Sequence, residues 1–192
     1  MTCNSVLITC GLILLNCVFI PVRYGSAMQQ GLGAPIVSQT DSLIIWSAGH
    51  RLDFDDFQGV PRGDLNGHKD TMAICAYQIE YKLTVEGRLL KIDAYATFSK
   101  RSSWMRERKA EVLKHEQGHF DIAAIYAAKF KKDVNHSQAE DPHDFLTLVD
   151  AKYQQVLADM NAEQEKYDVW TGNTTGKEYY FTWIKTQLDS LR

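Results

Sequence analysis

The chain is expected to fold as an α+β domain, a small antiparallel sheet followed by three helices, because its apolar periodicity changes once, from two to helical. Cys75, Tyr77, Ile79, Tyr81, Leu83 and Val85 alternate with polar residues, Gly87 interrupts, and Leu90, Ile92, Ala94, Ala96 and Phe98 resume in the opposite phase. Period two marks half-buried strands, so residues of about 74–99 predict an antiparallel hairpin. After Lys100, Leu113, Phe120, Ile122, Ile125, Tyr126 and Phe130 recur at helical spacings, and Ala123, Ala124, Ala127 and Ala128 permit close approach by a neighbouring helix. Strands first and helices second place the helices on one side of a small sheet.

Taken from the N-terminus, Val6 to Ile20 is a largely apolar run, short for a membrane span and of the length of a secretory h-region; Gly25-Ser26-Ala27 offers small residues for cleavage. Residues 1–27 therefore read as a signal peptide. The protein is expected to be exported, to the periplasm, the medium or the cell envelope. Leu7-Ile8-Thr9-Cys10 and Leu14-Leu15-Asn16-Cys17 each place a cysteine after a hydrophobic stretch, which raises a lipid anchor as a second route. Thr9 and Asn16 stand where such a signal wants a small residue, so soluble export fits better. Cleavage after Ala27 leaves 192 − 27 = 165 residues, the size of one domain with its own core and no transmembrane helix. Residues 28–42 read as a flexible leader and 43–192 as a single domain. Three of the four cysteines depart with the signal, leaving Cys75, which cannot form an internal disulfide and reads as a small buried hydrophobe. The remaining 20 basic and 24 acidic residues give a net charge of −4, and no basic stripe points to nucleic acid.

Within the domain, Leu43-Ile44-Ile45-Trp46 predicts a strand. Arg51 to Asp70 is rich in Asp and Gly and reads as loop, anchored by Leu52, Phe54 and Phe57. The first helix is expected to start at a cap from Ser102 or Ser103 and to run to about Lys132. A polar break over 135–144 precedes a second helix over roughly 143–166, with Phe145, Leu148, Val149, Tyr153, Val156, Leu157 and Met160 on its apolar side. Tyr167 to Gly176 reads as a loop, and a last helix is expected over about 177–191.

The first helix carries the chemistry. Residues 115–119 read His-Glu-Gln-Gly-His, and two histidines four apart share one helix face, close enough to bind one metal ion. Zinc suits two imidazoles and a carboxylate, and Glu116 then stands where it can take a proton from an activated water. His115 and His119 share a helical-wheel sector with Val112, Ala123 and Tyr126, which turns them inward rather than to solvent. A third ligand must come from elsewhere in the chain. His136 and His143 lie in a polar loop, whereas Glu163, Glu165 and Asp168 could be delivered by the second helix. Asp168 is preferred, at the expected helix-to-loop junction beside Tyr167. Asp121, only two residues past His119, faces another direction and is a candidate for orienting a ligand histidine from behind. Tyr167 and Tyr126 are candidate donors to a developing oxyanion, with aromatic packing as the competing use.

The segment SSWMRERKAEVLKHEQGHFDIAAIYAAKF resembles the core of domain-of-unknown-function family 922, a bacterial family described as predicted secreted zinc-dependent proteases. RLDFDDFQGVP resembles that family's early element through Leu52, Phe54, Asp56, Phe57, Gly59 and Pro61. Tyr167, Asp168, Thr171 and Trp183 fall at the spacing of a later one. The resemblance spans about 46–190. It implies a zincin-like metalloprotease domain that binds Zn²⁺ and acts on a peptide or protein substrate. The chain departs from the family pattern at Asn173, where the pattern has histidine, and at Thr174, where it has glycine. That departure sustains a second expectation, a degenerate non-catalytic exported domain that keeps the fold, with or without the metal, as a binding protein.

Overall fold

The computed structural model describes residues 42–61, 71–86, 89–137 and 141–191. The expected signal peptide and leader lie outside these, apart from Ser42. All the described residues belong to one unit, 36–192. The element order is β1 (Leu43–Ile45), a 3-10 turn (Phe54–Asp56), β2 (Ala73–Ile74), β3 (Tyr77–Glu86), β4 (Leu89–Ser99), β5 (Trp104–Met105), α1 (Ala110–His136), α2 (Pro142–Thr171) and α3 (Thr174–Asp189). The expected architecture is therefore present: a small antiparallel sheet, then three helices.

The hairpin β3–β4 pairs from Tyr77↔Phe98 to Glu86↔Leu89, and β1 joins the other edge of β4 with Leu43 opposite Ser99. Period two sends Ile79, Ile92, Ala96 and Phe98 to one face, where each is buried beneath the helices. On that face α1 is the central element. Its residues from Gly118 to Ile125 are buried without interruption, the pattern of a helix enclosed on every side. The sheet packs on one flank, and α2 and α3 on the other. Burying Phe120, Ile122, Phe130 and Phe145 contributes roughly 1.5–3 kcal/mol apiece.

Several boundaries differ from expectation: α1 runs on to His136, past the expected end near Lys132, and its start and the 167–176 stretch differ for visible reasons. Ser103 does not cap a helix; its fully buried hydroxyl donates to the Ser99 carbonyl (2.7 Å) and accepts from the Ala76 amide (2.9 Å). Trp104–Met105 then pairs with Ala73–Ile74, and α1 starts only after Lys109, with no side-chain cap. The expected loop over 167–176 is helical except at Gly172 and Asn173. Val156, Met160, Gln164, Tyr167 and Thr171 form a buried stripe at helical intervals that carries α2 five residues past 166. Only Gly172 and Asn173 separate α2 from α3, and the Asn173 side chain caps α3 by accepting from the Gly176 amide (2.9 Å).

So short a connection forces close approach. A Cβ on Gly176 would lie 1.9 Å from the Trp170 carbonyl oxygen, backbone that cannot swing aside, whereas one on Gly49 would meet nothing within 4 Å. Gly176→Ala is accordingly expected to cost about 2 kcal/mol or more, and Gly49→Ala very little. Thermal melts of the two variants check this. Among the described residues no helix is long and apolar enough to cross a membrane.

Candidate metal centre

The site is built by α1 and α2, which run antiparallel. One turn of α1 separates His115 from His119 and leaves their Nε2 atoms 3.1 Å apart. Asp168, in the last turn of α2, brings Oδ1 to 3.2 Å from His115 Nε2 and 3.0 Å from His119 Nε2. These three residues form a group able to hold a metal ion. Bonds of about 2.0–2.1 Å to a tetrahedral ion place neighbouring donor atoms roughly 3.3 Å apart, so the triangle has nearly the size of one tetrahedral face. The structure brings Asp168 beside the two histidines from a different setting than expected: it lies inside a helix, not at its junction with a loop.

The remaining candidates separate cleanly. Glu163 accepts from the Tyr180 hydroxyl (2.9 Å), and Glu165 is exposed. His136 bonds its own helix at the Lys132 carbonyl, and His143 is exposed on α2. A second group, Asp141, His143 and Asp144, lies wholly at the surface, where the Asp141 carboxylate caps α2.

Asp121 does not orient a histidine. Its buried carboxylate accepts from Trp46 Nε1 (2.8 Å), Arg51 Nη1 (2.6 Å) and Gln117 Nε2 (2.9 Å), while Gln117 Oε1 accepts from the Leu52 amide (2.8 Å). This network ties residues 46–52 to the histidine-bearing turn of α1. Tyr167 is not placed to meet a substrate either. It is fully buried, its hydroxyl donates to the His115 carbonyl (3.0 Å), and its ring stacks on His115 at 4.8 Å. Burial, with the nearby Glu116 and Asp168 charges, pushes its phenol far above the ordinary value. Tyr126, two turns along α1 from His119, is pushed up to about 12 by burial and by Glu163 and Asp159.

Two residues that the sequence reading missed complete the surroundings. Gln164 Oε1 is 2.7 Å from His119 Nδ1, and Thr171 Oγ1 is 3.3 Å from His115 Nδ1. They stand four before and three after Asp168, so extending the helix past 166 would have placed all three on one face.

The electrostatics follow from burial and pairing. Burial alone would raise the Asp168 carboxyl, but hydrogen bonds with His115 and His119 hold it well below the usual carboxylate range. For His119, burial opposes the charged form, yet Asp168 and Glu116 outweigh it and the pKa rises. Glu116 is raised by burial, opposed by the two histidines and by a hydrogen bond from the Cys75 backbone. The side chains of His115 and Asp168 are 31% and 27% exposed, against 4% for His119, so the cluster opens on the His115–Asp168 side.

Fold and cluster define the class: an α+β domain with a two-helix His-His-Asp group beside a buried glutamate. The chain belongs to domain-of-unknown-function family 922, bacterial proteins of unknown function, whose sequence pattern matches residues 63–176. The match contains the hairpin, the cluster and the start of α3; the 51–61 element and Trp183 lie outside it. No curated protein and no solved structure matches the chain.

Proposed function

We propose that this protein is an exported zinc-dependent hydrolase acting on peptide bonds. The observation that carries the reading is the 3.0–3.2 Å triangle of His115 Nε2, His119 Nε2 and Asp168 Oδ1. Two imidazoles and one carboxylate match the donor set of a catalytic zinc that keeps a position for water. Zinc held there would supply a Lewis acid for the scissile carbonyl and acidify the attacking water.

The chain's own residues supply the rest. Glu116, next to the first ligand and withdrawn from bulk solvent, accepts a proton from the water as its oxygen attacks the carbonyl carbon. It returns that proton to the amine as the C–N bond breaks. Export rests on the apolar run and small residues before position 28.

A second reading, an exported binding domain that keeps the metal and has lost catalysis, is favoured by Asn173. Where the family resemblance expects histidine, this side chain is spent on capping α3. Zinc stoichiometry by elemental analysis tests the first step. Wild type should carry one zinc per chain, and His119→Ala and Asp168→Ala should each lose it. A folded wild-type protein without zinc would sink the hydrolase reading. Zinc retained by Asp168→Ala would remove that carboxylate from the ligand set.

A further inference from the structure

We propose that Gln164 and Thr171 are positioning residues that hold both imidazoles with Nε2 turned toward Asp168, so that the docking of α2 by itself assembles the site. The consequence for metal binding rests on the zinc reading above; the geometry does not.

An imidazole can offer a lone pair from Nε2 only if Nδ1 carries the proton of the neutral ring. Hydrogen-bond accounting fixes this for both histidines. The Gln164 Nε2 amide donates to the His119 backbone carbonyl (3.0 Å), which can only accept. Its other end, Oε1, must therefore face His119 Nδ1 at 2.7 Å, and an acceptor there requires that Nδ1 bear the hydrogen. The Thr171 hydroxyl spends its one proton on the Tyr167 carbonyl (2.6 Å), again a pure acceptor. Its lone pair faces His115 Nδ1, so that nitrogen is the donor as well. With Nδ1 the donor on both rings, Nε2 is the nitrogen that faces Asp168 Oδ1, as a hydrogen-bond donor to it in the metal-free chain and as a lone pair where a metal ion takes that proton's place.

The three responsible residues occupy one face of one helix. Asp168 offers the carboxylate, Gln164 one turn earlier sets His119, and Thr171 one turn later sets His115. Both partners of the imidazoles are neutral, so Asp168 carries the only negative charge of the ligand set. Gln164 is buried, whereas the His115 side is open, and the His119 contact is shorter by 0.6 Å (3.3 − 2.7). Gln164 is therefore the stronger determinant.

The test measures zinc affinity of the full chain by competition with a chromophoric chelator, alongside the melting temperature of each metal-free variant. Gln164→Met keeps length and loses the acceptor; affinity should fall roughly 10–100-fold. Thr171→Val should weaken binding by about threefold to tenfold, and Thr171→Ser should restore it. A merely structural role would lower the melting temperature and leave affinity within about twofold of wild type, which overturns the proposal. If Gln164→Met fails to fold, the Thr171→Val and Thr171→Ser pair decides. If wild type binds no zinc, the hydrolase reading fails, but ¹⁵N-histidine spectra of the metal-free chain still decide this one. A solvent-protected Nδ1–H on both rings supports it, and an Nδ1 without a proton on either ring overturns it.

Discussion

Glu116→Gln is expected to cut peptide hydrolysis by about 10²–10⁴-fold while leaving zinc content and melting temperature at their wild-type values. The two halves of that expectation rest on different contacts. Glutamine has nearly the shape of glutamate and keeps a carbonyl oxygen for the hydrogen bond from the Cys75 backbone, so the buried position remains filled and that bond is kept. Burial disfavours the carboxylate, and replacing it with a neutral amide removes that cost, so the variant should be no less stable. What the amide cannot do is accept a proton from water. Activity would be followed on a quenched-fluorescence peptide library, with zinc-loaded wild type and Glu116→Gln in parallel. Equal turnover by the two proteins would dismiss Glu116 as the base. A zinc-loaded wild type that cleaves nothing, and is unaffected by the substitution, would favour the binding-domain reading.

The route from sequence to site was open for some residues and closed for others, and the difference is physical. Periodicity exposed the hairpin and α1 because each buries a regular stripe. The histidine pair was legible because a four-residue interval within one helix determines its own geometry. Asp168 was harder: its role depends on how α2 packs against α1, which no local spacing states. The loop reading of 167–176 arose because Gly172, Gly176 and three threonines resemble a turn. Buried Tyr167 and Thr171 outweigh those propensities by packing on α1. Thr171 falls in that stretch, and the relation of Gln164 to Asp168 appears only where the helix continues past 166. Ser103 shows the same limit from the other end. A serine before an apolar helix suggests a cap, but this one is enclosed by the strand turn at Ser99 and the Ala76 amide.

Gly118→Ala is expected to destabilise the fold by about 3 kcal/mol, against the gain of about 1 kcal/mol that alanine brings to an ordinary helix interior. Gly118 is the fourth residue of the His-Glu-Gln-Gly-His segment, and its missing side chain makes room for Tyr167. A Cβ there would lie 2.1 Å from the Tyr167 hydroxyl and 2.5 Å from the ring carbon that bears it. Tyr167 has nowhere to retreat, because it is fully buried, stacks on His115 and packs edge-on to His119 and Tyr180. Displacing it breaks the hydrogen bond to the His115 carbonyl and pushes α2 away from α1 at the level of Asp168. Stability and zinc affinity should therefore fall together. Tyr167→Phe provides the comparison, since it removes the hydroxyl and its one hydrogen bond and keeps the ring; the loss should be about 1 kcal/mol with zinc binding retained. Chemical denaturation and chelator competition on the two variants give the answer. A Gly118→Ala protein as stable as wild type would mean that α1 and α2 do not approach as closely as Tyr167 requires, and the short Asp168–histidine distances would lose their support.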